Sequence, residues 1–101
     1  MIIKEIPPKQ IEFYHNLKKS LELPGCFVIG SKNRSIDFVV FNIKQDIQLY
    51  KIVPPWSKKS SEIWLSSLKK WYSLAWYKAT YTMVFVNEDF QEIKRRTFDL
   101  N

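Results

Sequence analysis

Cations dominate the residues able to do chemistry in this 101-residue sequence. Sixteen Lys and Arg stand against ten Asp and Glu, for a formal net charge of +6. Lys58, Lys59, Lys69, Lys70, Arg95 and Arg96 are candidates for phosphate contact, which anchors a nucleic-acid backbone without reading its sequence. A solvated lysine-rich surface with no partner is the other reading of the same charge, and both stay open. The lone histidine, His15, is expected on the polar flank of the first helix, with no nucleophile or base spaced to work with it. Cys26 is the one cysteine. It can form no internal disulfide, and its apolar surroundings suit a small core residue. No Cys/His spacing fits a zinc site. The two glycines, Gly25 and Gly30, cannot build a glycine-rich phosphate loop. No cofactor is expected.

The elements that position these residues come from one small domain spanning 1–101. Hydrophobic residues make up 46% and aromatic residues 16%, ample for a core. Four Trp, five Tyr and seven Phe are many for this length, and some are expected to cover a partner. No apolar run approaches a bilayer span, and the start is too short and too charged for a signal peptide. With a single cysteine, this predicts a cytoplasmic protein with no membrane partner.

After Pro7 and Pro8, the spacing of Phe13, Leu17 and Leu21, with Tyr14 beside them, predicts an amphipathic helix over 9–22. Pro24-Gly25 ends it. Strands are predicted over 26–30, 36–41 and 47–53, the second buried on both faces. In the third, Ile47, Leu49 and Lys51 share one face, and Gln48, Tyr50 and Ile52 the other. Pro54-Pro55 stops that strand, and a polar connection over 56–60 follows. A second helix is predicted over 61–78, burying Leu65, Leu68, Tyr72 and Ala75, its stripe widened by Ile63, Trp64 and Trp71. Strands over 80–86 and 91–98 close the chain, and 2–6 could add an early strand. The order α-β-β-β-α-β-β predicts an α/β domain, a mixed central sheet with two flanking helices.

Two resemblances follow. Glu12, Asp37 and Lys51 are similar in placement to the site of metal nucleases of the restriction-enzyme and Holliday-junction-resolvase type. That family sets a Glu on the first helix, an Asp on the second strand and Glu-x-Lys on the third. Here the third motif is Leu49-Tyr50-Lys51, and leucine cannot ligate Mg²⁺. A metal site at Glu12, Asp37 and Lys51 would therefore be degenerate; surface charge is the alternative reading of the two acids.

The wider resemblance, from about Phe13 to Phe98, is to the C-terminal domain of tRNA-splicing endonucleases. It rests on Tyr14-His15-Asn16-Leu17, Gly25, Asp37-Phe38-Val39-Val40-Phe41, Lys78, the run Met83 to Asp89, and Ile93-Lys94-Arg95-Arg96. The family's catalytic Tyr, His and Lys fall at Phe41, Asp46 and Lys78, so only the lysine survives. The resemblance implies a small non-catalytic subunit of an archaeal-type tRNA-intron endonuclease. It would form a hetero-oligomer with a catalytic subunit and help hold precursor tRNA. The partner's chemistry would be attack of a ribose 2′-hydroxyl on the adjacent phosphate, leaving a 2′,3′-cyclic phosphate. The family also implies docking through the last strand and the acidic turn before it, here Glu88, Asp89, Phe90, Glu92 and Phe98, with Phe85 behind them. An ordinary hairpin turn and aromatics closing the domain's own core are the alternatives. A basic nucleic-acid-binding module is the remaining reading of the whole chain.

Overall fold

The computed structural model describes residues 7–44 and 46–101, with the side chains of 58–61 excepted. Helix α1 (Pro8–Leu21) begins with proline in its first turn, where a missing N–H is no loss. Lys18 and Lys19 lie in its last turn, where positive charge suits the helix dipole. The chain then turns through Gly25, whose φ of +81° is the left-handed region where a side chain would be strained. Strands β1 (Cys26–Gly30), β2 (Phe38–Asn42) and β3 (Ile47–Val53) form an antiparallel meander. A short 3₁₀ turn (Pro55–Ser57) leads into α2 (Lys58–Tyr72). Strand β4 (Ala79–Val86) returns parallel to β3, and β5 (Glu92–Asp99) pairs antiparallel with β4. The five strands lie side by side in chain order in one mixed sheet. The expected α/β class and element order hold.

Alternation along the strands splits the core into two layers. Leu49, Val53, Tyr81, Met83 and Phe85 pack with Leu68 of α2, joined by Trp64, Leu65 and Tyr72. Val40, Ile52, Val84 and Val86 pack with Leu17 and Leu21 of α1, joined by Phe13 and Tyr14. The two helices therefore cover opposite faces of the sheet. Cys26 is half-buried against the α1 layer, close to the expected core role.

Several expectations need correction. Helix α2 begins at Lys58, so Lys58 and Lys59 belong to its first turn and not to a polar connection. It ends at Tyr72, not Lys78, because the chain must turn back to lay Ala79 beside Ile47 in the parallel ladder. Ala75 therefore lies past the helix, its N–H donating to the Tyr72 carbonyl. Ile63 and Trp71 do not widen the buried stripe: they are 68% and 83% exposed. Strand β2 begins at Phe38, and its burial on both faces fails at Phe41, which is 38% exposed. The suggested pairing of residues 2–6 lies outside the described residues.

The two sheet edges differ. Strand β5 carries Glu92, Lys94, Arg95, Arg96 and Asp99, the kind of charge that discourages unwanted pairing. Strand β1 carries no charge and exposes Phe27 and Ile29.

Candidate functional site

The constellation that the fold brings closest together is Asp37 with Lys51. Asp37 precedes β2 by one residue, and its N–H donates to the Tyr50 carbonyl at 2.7 Å. Its Oδ2 accepts the Ile52 N–H at 2.7 Å, so a side chain stands in for the next ladder partner where β2 begins. Lys51 Nζ is 3.4 Å from the same oxygen, and the two side chains are only 14% and 15% exposed. Lys51 shares the α2-side face with Leu49 and Val53, and its ammonium sits 5.1 Å from the centre of the Trp64 ring. The Tyr81 hydroxyl donates to the Ser35 carbonyl at 2.6 Å, fastening the β1–β2 loop beside this pair.

Burial pushes the Asp37 carboxyl upward, and the Ile52 N–H and Lys51 offset part of that rise. Burial and then the Asp37 charge push the Tyr14 hydroxyl up to about 12. Burial likewise raises Tyr81, with Asp37 adding to it. The Asp37 shift has a defined sign in stability. A carboxyl with a folded pKa above its unfolded one binds its proton more tightly when folded. Its contribution is full below the ordinary aspartate value and is lost as pH rises through the folded value. Asp37→Asn should therefore flatten the part of the stability–pH curve that falls over this acidic window. Urea denaturation of both proteins at a series of pH values checks it.

Of the Glu12, Asp37 and Lys51 set, the structure unites the last two. Glu12 is exposed on α1 and forms no ion pair among the described residues. Leu49, where a second carboxylate would be needed, is 1% exposed and part of the core. Among the described residues, no group of three His, Cys, Asp or Glu side chains could hold a metal ion.

Phe41, Asp46 and Lys78 converge at the other end of β3. Phe41 pairs with Ile47, the Asn42 N–H donates to the Asp46 carbonyl at 3.1 Å, and the Ile47 N–H donates to the Lys78 carbonyl at 2.9 Å. Asp46 and Lys78 line one cavity of about 110 Å³ with Gln48 and Thr80. The cavity brings together one carboxylate and one ammonium, while Phe41 is joined to them through the backbone ladder. Neither a tyrosine nor a histidine stands among these three positions, where the resembled family places its proton-transfer groups.

The acidic turn is built on Asn87. Its Oδ1 accepts the Asp89 N–H at 2.9 Å and the Gln91 N–H at 3.0 Å. Glu88 and Asp89 point into solvent, Asp89 meeting Lys9 in an exposed pair at 3.3 Å. Phe90 does not join them as a docking anchor. It is 6% exposed and packs in the α1 layer near Phe13 and Trp56. Phe85 is also core, at 8%, and Phe98 is half-buried against the α2 layer. Glu92 is held by Arg95, whose Nε donates to both carboxylate oxygens at 2.9 and 3.0 Å.

The expected phosphate-binding cations do not form one patch. Lys69 and Lys70 lie exposed in the last turn of α2. Arg95 pairs opposite Val84 and faces the α1 side, whereas Arg96 pairs opposite Met83 and faces the α2 side. The side chains of Lys58 and Lys59 lie outside the described residues. Sequence reasoning overlooked Tyr14 and Trp64 as neighbours of the Asp37–Lys51 pair, and left Lys94 out of the phosphate-contact candidates. The available signal was Lys51 itself: a lysine alternating with Leu49 and Val53 on a buried face needs a counter-charge and a ring or chain to cover its stem. No family model, curated protein or solved structure matches this chain.

Proposed function

We propose that this chain is a non-catalytic subunit of a heteromeric tRNA-intron endonuclease, supporting assembly with a catalytic subunit and helping to hold precursor tRNA. The observation that carries the reading is that the backbone positions of Phe41, Asp46 and Lys78 converge at one end of the sheet, with no tyrosine or histidine among the three. A helix–sheet frame that gathers these positions while replacing that family's tyrosine and histidine with Phe41 and Asp46 suits a scaffold. Among the described residues the outer edge of β5 is unpaired, which suits strand-to-strand docking. Exposed Glu88 and Asp89 suit a charged contact that sets partner choice more than affinity. Phe90, being core, has no part in that contact.

The test is reconstitution with catalytic subunits of this enzyme class. Alone, the chain should leave intron-containing tRNA intact. With its partner it should co-purify, and the mixture should release a 2′,3′-cyclic phosphate end. Cleavage by the chain alone, or failure to bind any catalytic subunit, overturns the proposal.

The Asp37–Lys51 contact favours a second reading, a metal-dependent DNA nuclease that has lost a ligand. Mg²⁺-dependent nicking of branched DNA, lost in Asp37→Asn, would support it over the first.

A further inference from the structure

We propose that the cleft between α2 and β5 binds a single-stranded nucleic-acid segment, with its phosphates on Lys94 and Arg96 and one base against the apolar lining at Phe98. The cleft has a volume of about 240 Å³. Lys94 pairs opposite Phe85 and Arg96 opposite Met83, so both cations rise from the α2-side face of the edge strand. Residues two apart on a strand sit roughly 6.8 Å from one another, which sets the two charges out in a row along β5. Neither forms an ion pair among the described residues, whereas Arg95 between them is consumed by Glu92 on the opposite face. Lys94 Nζ lies 5.1 Å from the centre of the Phe85 ring, which steadies it at the cleft wall.

The rest of the lining decides the ligand class. Phe98 and Met83 from the sheet and Leu65 from α2 give the cleft an apolar lining beside the cations. A flat base can use that lining, as bases do on aromatic platforms in single-strand binding proteins. The carboxylates of an acidic peptide cannot. Glu62 on the α2 wall repels peptide carboxylates and phosphates alike, but it can accept a hydrogen bond from a base amino group or a ribose 2′-hydroxyl. Among the described residues no strand lies on the outer side of β5, so a chain can run out of the cleft past the sheet edge.

This deepens the RNA-holding part of the function proposed above and rests on that part alone. The test is fluorescence anisotropy of the full chain with a labelled single-stranded RNA, repeated across salt concentrations. Lys94→Ala/Arg96→Ala should weaken binding by roughly tenfold or more and flatten the log–log salt dependence by about 1.4, the value for two single-strand phosphate contacts. Phe98→Leu should weaken binding roughly threefold or more at unchanged salt slope, because stacking releases no counterions. Lys69→Ala/Lys70→Ala and the parent protein serve as controls, with melting temperatures recorded for all. Absence of RNA binding by the parent at low salt overturns the proposal. So does parental binding by the Lys94/Arg96 variant, or loss confined to the Lys69/Lys70 variant. Displacement of RNA by poly-glutamate of equal charge also overturns it, in favour of an acidic protein partner. Co-purification with catalytic subunits is scored separately. RNA binding at this cleft without any subunit binding keeps the cleft and overturns only the subunit reading.

Discussion

Asp37→Ala should destabilise the fold by about 3 kcal/mol, the lower end of the range for breaking a buried ion pair. Two groups lose their partner at once. Lys51 is left with its side chain only 14% exposed and no counter-charge. The Ile52 N–H, bonded to Asp37 at 2.7 Å, is left without an acceptor in a part-buried position. For a domain of this size the change corresponds to a fall in melting temperature of roughly 12–24 °C. Asp37→Asn should cost less, because an amide oxygen can still accept from Ile52.

The pair itself need not stabilise the protein, and a double substitution separates the two ideas. Burial pushes the Asp37 carboxyl up despite the lysine beside it, so desolvation outweighs the attraction. Asp37→Ala/Lys51→Met should therefore recover most of the loss, since the methionine stem can pack under Trp64 without a charge to satisfy. Thermal and urea denaturation of the four proteins form a double-mutant cycle. A double variant as unstable as Asp37→Ala would mean that the Ile52 hydrogen bond, and not the stranded lysine, carries the cost. The carboxylate oxygen that ties the ladder together is also the one nearest the lysine. That arrangement reads as a structural clasp where β2 joins β3.

The sequence made the strands legible because alternation and β-branched runs are local signals. The bounds of β1 and β3 were readable to the residue, and β4 and β5 within one. The end of α2 was not legible. Leu74, Trp76 and Tyr77 continue an apolar spacing compatible with a helix, and no Gly or Pro marks the stop. What ends the helix is the requirement that Ala79 pair with Ile47, a constraint set by a strand about 30 residues earlier in the chain. The pairing of Asp37 with Lys51 was suggested only by the nuclease resemblance and not by spacing, because it depends on the β2–β3 register, which places Phe38 opposite Tyr50. The separation of Arg95 from Arg96 was readable in principle, because adjacent residues on a strand point to opposite faces. The pairing of Arg95 with Glu92 was not, since it requires Glu92 to lie on the same face three residues away.

Phe90→Ala should cost about 3–5 kcal/mol, the range for emptying a buried phenylalanine site. Phe90 sits in a hairpin turn among Asn, Glu, Asp and Gln, a setting that suggests an exposed ring. It is instead buried under α1, with ring centres 6.5 Å from Phe13 and 5.9 Å from Trp56. Reaching that position requires φ of +57°, a conformation that costs a residue with a Cβ about 1–2 kcal/mol. Burial of the ring must offset this strain. Phe90→Gly removes the same ring but also the clash, so it should be more stable than Phe90→Ala by about 1 kcal/mol, contrary to the usual order of the two residues. Thermal denaturation of the three proteins gives the ranking. If the ring were a docking anchor instead, both variants would melt with the parent and lose only partner binding. The expected outcome is a large loss of stability in both and the inverted Gly–Ala order, because at this turn the backbone is strained in order to drive an aromatic ring into the core.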